Sequence, residues 1–249
     1  MAKLKGILKI EGTLDELTFY KTQDGHLVKT KGGVSAERIA NDPNFQRTRE
    51  NGAEFGSSAT AGKLLRNAVR NLMMNAADNR VTSRLTQIMT LIKNYDTTSA
   101  RGERIVAIGI ADPAALALLK DFDFNDNAAL GGVLFAPFTV TGLTGAINIP
   151  AFIPINDIAY PSGATHVSFK SAYAIVDFTN GTSAIEYSPV TNLPIDGTNT
   201  PVNLIPTGVP AGAGTKFYLM LIEFFQEVNG VQYSLKNGAY NVLNIVEVA

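Results

Sequence analysis

Apolar residues fall at three different spacings along the chain, and each spacing predicts a different kind of element. Near the start they come in short, roughly alternating runs: Leu4, Ile7, Leu8 and Ile10, closed by Gly12, then Leu17 and Phe19, then Leu27 and Val28. Alternation places every second side chain on one face of a strand. The last two runs flank Gln23-Asp24-Gly25-His26, and Asp-Gly between two such runs predicts a hairpin turn. Lys31-Gly32-Gly33 ends this segment.

The spacing then lengthens to that of a helix. Asp42 before Pro43 supplies an N-cap followed by proline at the first helical position. A helix is expected from there through Phe45 and Arg49 to about Phe55, with Gly56 as its stop. Ser57, Ser58 or Thr60 then caps a second helix. In it Leu64, Leu65, Ala68, Val69, Leu72 and Met73 share one face, and Lys63, Arg66, Asn67 and Arg70 the other. Asp78 caps a third, with Val81, Leu85, Ile88, Met89 and Ile92 inward. The short joint 76–79 predicts that these last two pack as an antiparallel pair. The polar stretch 96–103 reads as a linker, and Pro113 opens a short helix over 114–120.

From Phe122 onward short apolar runs alternate with Gly, Pro, Asn and Thr clusters. The expected strands are 133–138, 147–153, 166–169, 173–178, 185–187, 217–225, 231–235 and Val242–Val248, with Asn180-Gly181, Asn229-Gly230 and Asn237-Gly238 as turns. Strands at this spacing predict an antiparallel, Ig-like β-sandwich. Residues 188–214 hold five of the eleven prolines and read as a long loop or irregular crossover. The fold class expected is therefore α+β, in three parts: a β-hairpin arm (1–34), a basic helical region (35–104) and an acidic sandwich domain (105–249).

Composition bears more on function than on fold. Without cysteine, disulfides, thiolate metal sites and cysteine nucleophiles are excluded. Charged residues make up 17%, against roughly 25% in an average soluble domain. A surface poor in charge suits either a β-rich domain or one covered by other subunits. A net charge of −1 hides an asymmetry: residues 1–104 carry 17 Lys+Arg and 11 Asp+Glu, residues 105–249 carry 4 and 11, hence +6 and −7. Opposite poles favour head-to-tail association. The start lacks the apolar core of a signal peptide, and no run approaches the roughly 20 apolar residues of a membrane helix. The expectation is a product cytoplasmic when made, without membrane insertion, and released or exported as an assembly.

Candidate chemistry is sparse. Asp121, Asp123 and Asn125 match the opening of a calcium loop, but Asp126 replaces the glycine its sharp turn needs and Gly132 the bidentate glutamate. Alternation with Phe122 and Phe124 suits a strand with a wet acidic face instead. His166 follows Ser162-Gly163-Ala164-Thr165, yet no G-x-S-x-G turn is present, and the residue reads as a histidine opening a strand. Ala61-Gly62-Lys63 lacks both the upstream glycine and the Ser/Thr of a phosphate loop. No catalytic residue, cofactor-binding residue or metal ligand is singled out, and a small-molecule substrate is not expected. The credible interaction surface is basic: Arg47, Arg49, Lys63, Arg66, Arg70, Arg80 and Arg84, with Phe19 and Tyr20 in the N-terminal strands. Such cations suit either contacts between subunits or a nucleic-acid backbone. Interleaved Glu50, Glu54 and Asp78 and the scarcity of stacking aromatics favour the former.

Three segments together resemble a group of uncharacterised Bacteroidota proteins of similar length. They are Gly12 and, after six intervening residues, Phe19-Tyr20-Lys21 with Asp24-Gly25 and Thr30-Lys31-Gly32-Gly33; Asp42-Pro43 with Phe45, Arg47-Thr48-Arg49-Glu50-Asn51 and Glu54-Phe55-Gly56; and Phe224-Phe225-Gln226-Glu227-Val228-Asn229-Gly230 with Leu235-Lys236-Asn237-Gly238-Ala239-Tyr240-Asn241. The resemblance implies a bacterium of that group, or a phage of one, as the source, and implies no activity. The function expected is a non-enzymatic structural subunit that self-assembles into a filament, tube or phage-like particle, a homo-oligomer or homopolymer joined by strand addition and opposite-charge contacts. The alternatives are a nucleic-acid-associated protein using the basic helices and a carbohydrate- or protein-binding sandwich module using the 188–214 loop.

Overall fold

Strand-forming sequence at the start of the chain builds a small antiparallel sheet whose last three strands form a meander. The computed structural model describes residues 2–3, 9–30, 33–235 and 238–249. The expected strand run over 4–8 lies outside them, as do Lys31-Gly32 and the first residue of the Asn237-Gly238 turn. The chain divides into two compact units, Met1–Glu50 and Asn51–Ala249. Residue 104, where the sequence suggests a boundary, falls inside the second.

In the first unit, strands β1 (Ala2–Lys3), β2 (Gly12–Leu14), β3 (Leu17–Thr22) and β4 (Gly25–Thr30) form an antiparallel sheet in the order β1-β4-β3-β2. The predicted Asp24-Gly25 hairpin is its centre, with Thr22 opposite Gly25 and Leu17 opposite Thr30. A second tight turn at Asp15-Glu16, with Asp15 in the left-handed region at φ 48°, folds β2 against β3. Helix α1 (Ala36–Asn41) follows, capped by Ser35, whose side chain accepts from the Arg38 N–H. Asp42 caps the 3-10 turn Pro43–Phe45, as the Asp-Pro pair suggests.

Helix α2 (Gln46–Ala68) corrects an expectation: it runs through Gly56 without a break. Tertiary contacts override the local stop signal. Glu54 is tied down by the Lys93 ammonium and the Gly102 N–H. Ser58 and Thr60, read as caps, turn their hydroxyls back to the carbonyls of Glu54 and Gly56 within the helix. After α3 (Arg70–Met73), α4 (Val81–Ile92) returns with Val81, Leu85, Met89 and Ile92 buried. Glu54 meets Lys93, and Gly62 faces Leu85 and Met89, so α2 and α4 run antiparallel. Short helices α5 (Val106–Gly109) and α6 (Pro113–Ala117) complete this layer. The 105–111 run is helical, and Gly109 sits so close to the Ile92 carbonyl that a Cβ there would overlap its oxygen.

Helix α7 (Leu130–Val133) begins where a strand was expected over 133–138: Leu130, Val133, Leu134 and Ala136 fill the core from a turn and a loop. Strands β5 (Thr139–Thr141) and β6 (Ala146–Ile149) follow, then α8 (Pro154–Asp157). β7 (His166–Asp177) joins two expected strands into one; β8 (Thr182–Tyr187), β9 (Thr191–Pro194) and β10 (Val202–Leu204) come next. β11 (Thr215–Val228), β12 (Val231–Ser234) and β13 (Val242–Val248) close the chain. Asn229-Gly230, both at positive φ, make the two-residue turn between β11 and β12.

The long strands β7 and β11 pair along eleven positions. On their outer sides β8 and β9 divide the length of β7, and β13 and β12 divide that of β11. Toward the β9–β12 end the sheet curls: Gln232 of one edge strand donates to Asn192 of the other, and Asn192 to Ser168. Both faces are buried. Phe217, Leu219 and Leu221 with Ala172, Ala174 and Val176 meet the helices, through Leu65, Leu72, Leu85 and Met89. Tyr218, Met220, Ile222 and Phe224 with Phe169, Tyr173 and Ile175 meet the small sheet β10-β6-β5, through Ile147, Ile149, Val202 and Leu204. The class is α+β with antiparallel sheets, in layers of helices, large sheet and small sheet.

Candidate assembly surfaces

Pairing in the first unit fixes which side chains share a face of the meander. Leu14 is opposite Leu17, and Phe19 opposite Val28. These four make one apolar face. Phe19 and Tyr20, adjacent in sequence, therefore point to opposite sides. Tyr20 shares the other face with Thr13, Thr18 and Lys29; the hydroxyls of Thr13 and Thr18 are 3.3 Å apart, and the Lys29 ammonium lies 5.7 Å from the Tyr20 ring centre. No described residue between Ala2 and Glu50 is buried. Leu14 stays 62% exposed and Leu17 41%. Burying a leucine stabilises by about 1.5–3 kcal/mol, so this face leaves several kcal/mol of hydrophobic driving force unused.

The basic residues singled out in the sequence divide between the two units, and Arg47, Arg49 and Arg84 among them are engaged. Arg47 pairs with Glu50 at 3.1 Å. Arg49 donates to the carbonyls of Ile39 and Asp42, closing the C-terminal end of α1. Arg84 donates to the Asp78 carboxylate and to the carbonyl of Asp123 at 2.8 Å, and lies over the Phe122 ring. Arg66 is half-buried beside Gly62, while Lys63 and Arg70 are exposed.

The acids and amides that looked like a calcium loop fasten chain to chain. Asp123 accepts from the N–H of Leu130 and from the Asn244 amide, and Asn125 donates to the carbonyls of Gly238 and Asn241. Burial pushes the Asp123 carboxyl above its ordinary range. Residues 121–124 thereby pair with the outer edge of β13. The C-terminal strand is thus flanked on both sides, by β11 and by this segment. His166 opens β7, with Thr165 Oγ1 3.0 Å from its Nδ1 and Glu227 3.6 Å from its Nε2. No group of three or more metal-ligating side chains occurs among the described residues, and none of their helices is long and apolar enough to cross a membrane.

Two features of the second unit have no counterpart in the sequence pattern. Ser188 donates to the carbonyl of Ser171 in the ladder with β7, so the N–H and C=O groups of Ser183 and Ile185 point away from it. No other strand pairs with that side of β8 among the described residues. Beside the start of β8 lies an apolar groove of about 260 Å³, walled by Ser57, Thr60, Ala61 and Leu64 of α2, by residues 105–107, and by Phe178 and Gly181. Three distant segments build it, so no local pattern announces it. Comparison with protein-family models, curated proteins and solved structures gives no match.

Proposed function

We propose that the protein is a non-enzymatic structural subunit that self-assembles, with its N-terminal meander as the joining element. The observation that carries this reading is an amphipathic four-stranded sheet with an exposed apolar face and, among its described residues, no buried residue of its own. A small sheet gains independent stability only when its hydrophobic face is packed against something, and exposed patches of this kind mark interaction sites. The basic residues give less support to nucleic acid, because Arg47, Arg49 and Arg84 already bind carboxylates and carbonyls. Residues 1–50 carry 9 Lys+Arg and 7 Asp+Glu and residues 51–249 carry 12 and 15, so the two units differ in sign, +2 and −3, which favours ordered, head-to-tail contacts within a filament, tube or phage-like particle.

Light scattering on the full chain after size exclusion tests this. The expected mass exceeds the 26.6 kDa of one chain and rises with concentration. A variant carrying Leu14→Asp and Leu17→Asp, both exposed positions, should elute as a folded monomer. A wild-type monomer at millimolar concentration would overturn the reading.

A further inference from the structure

Building on that reading, we infer that the acceptor for the meander is the open part of the outer edge of β8, Ser183 to Ile185, with its adjoining groove, on a second copy of the chain; at the far end of β8 the Thr207 N–H already bonds the Tyr187 carbonyl. The other edges of the large sheet suit this less. β13 is flanked by residues 121–124, β9 contains Pro194, and all four residues of β12 are exposed, so an added strand there would find no apolar floor. β8 has neither a proline nor a lysine to discourage pairing. Its outward N–H and C=O groups at Ser183 and Ile185 offer a ladder for an incoming strand.

The donor is β2, the edge strand of its sheet among the described residues. Added to β8, it extends the large sheet by the whole meander, and one face of the meander then comes to lie on the side of the sheet that carries α2. The face with Leu14, Leu17, Phe19 and Val28 fits there, Leu14 being nearest the joint and the most exposed of its apolar residues. The groove lined by Ala61, Leu64, Val106 and Phe178 receives it.

Charge complementarity at this joint is partial, since Glu186 within β8, Asp177 before it and Glu103 beside Arg104 are acidic. Glu11, Asp15 and Glu16, all exposed, flank β2 within an otherwise basic unit. Lys63 stands between the groove residues Ala61 and Leu64, and Arg104 precedes Ile105. The donor edge and the acceptor edge are different surfaces, so the contact is heterologous: each copy offers one of each, and the product grows as a chain or closes as a ring.

Complementation tests the assignment. Leu14→Asp removes the donor and leaves the acceptor. Ser183→Pro removes an outward N–H at an exposed edge position and leaves the donor. Thr60→Arg, exposed at the groove, is a second acceptor variant should the proline disturb folding. Each variant alone should raise the concentration for self-association by on the order of tenfold or more. An equimolar mixture of Leu14→Asp with either acceptor variant should give a 1:1 heterodimer that grows no further. If the variants abolish association but the mixture stays monomeric, the meander pairs with another surface and the β8 assignment fails while assembly stands. If folded Ser183→Pro and Thr60→Arg assemble like the wild type, the assignment fails in the same way. A wild-type chain that never associates removes both.

Discussion

Replacing Lys93 by methionine is expected to destabilise the fold by about 3 kcal/mol at neutral pH, the lower end of the roughly 3–5 kcal/mol for breaking a buried ion pair. The lower end applies because Glu54 and Lys93, 4% and 8% exposed, lie under one loop rather than in the depth of the core. Lys93 donates to one oxygen of Glu54, and the N–H of Gly102 donates to the other at 2.8 Å. Lys93 first, then Gly102, hold the Glu54 carboxyl below its ordinary range. Methionine fills similar volume but leaves that carboxylate covered and unpaired. Urea denaturation should show the loss, with Tm falling by roughly 6–12 °C for a chain of this size.

The double variant Glu54→Gln, Lys93→Met should recover at least half of the difference, since it removes the orphaned charge. A double variant no better than the single one would mean that Lys93 acts through packing alone. The pH dependence has a definite sign. A carboxyl depressed by folding contributes stability above its unfolded value, near 4.5, and loses it as pH falls below. The single variant has lost that contribution already, so the gap between it and the wild type narrows as pH drops from 7 toward 4.

The same pair explains why one of the clearest local signals misleads. Gly56 followed by Ser57 and Ser58 has the composition of a helix end and a new cap, yet α2 passes through it. A glycine inside a helix costs about 1 kcal/mol, less than the anchoring of Glu54 and the packing of Leu65 against α4 return. Where tertiary contacts agreed with local preference, the sequence was readable. The Asn229-Gly230 turn, the inward face of α4 and the whole of Val242–Val248 appear as expected, and the first hairpin forms with its turn at Gln23-Asp24, one residue ahead of the Asp-Gly pair. The 133–138 run failed because a short apolar stretch fits a buried turn as well as a buried strand. The apolar face of the meander was half legible: Leu17 and Phe19 alternate visibly, but Leu14 joins them only through the Asp15-Glu16 turn. The groove brings together α2, residues 105–107 and the turn before β8, segments up to more than a hundred residues apart, which no spacing along the chain encodes; the outward groups of β8 follow from the register of its hairpin with β7, which the spacing of apolar residues does not fix.

Asp96→Ala is expected to cost about 4 kcal/mol, because it leaves several donors in a covered loop without an acceptor, at roughly 1–3 kcal/mol each. The Asp96 carboxylate, 1% exposed, accepts from the N–H groups of Thr98, Ser99 and Ile105 at 3.1, 2.9 and 3.1 Å and from the Thr98 hydroxyl at 3.0 Å. Burial alone would raise its pKa; the bonds from Ser99, Ile105 and Thr98 outweigh burial and hold it well below the ordinary 3.8. Its contribution is therefore complete at neutral pH and is lost as pH falls through and below the unfolded value, from about pH 5 downward. Asp96→Asn, which keeps an acceptor oxygen and cannot ionise, should cost less than Asp96→Ala and flatten this acid dependence. A loss below about 1 kcal/mol for Asp96→Ala in urea denaturation would show that the loop is held by other contacts. The bond to Ile105 also sets one wall of the groove beside β8. If that groove is the acceptor for a neighbouring copy, Asp96→Ala weakens self-association under conditions where circular dichroism still shows a folded chain, and Lys63→Glu, exposed on α2 next to the groove residue Leu64 and outside this network, weakens it without any change in stability.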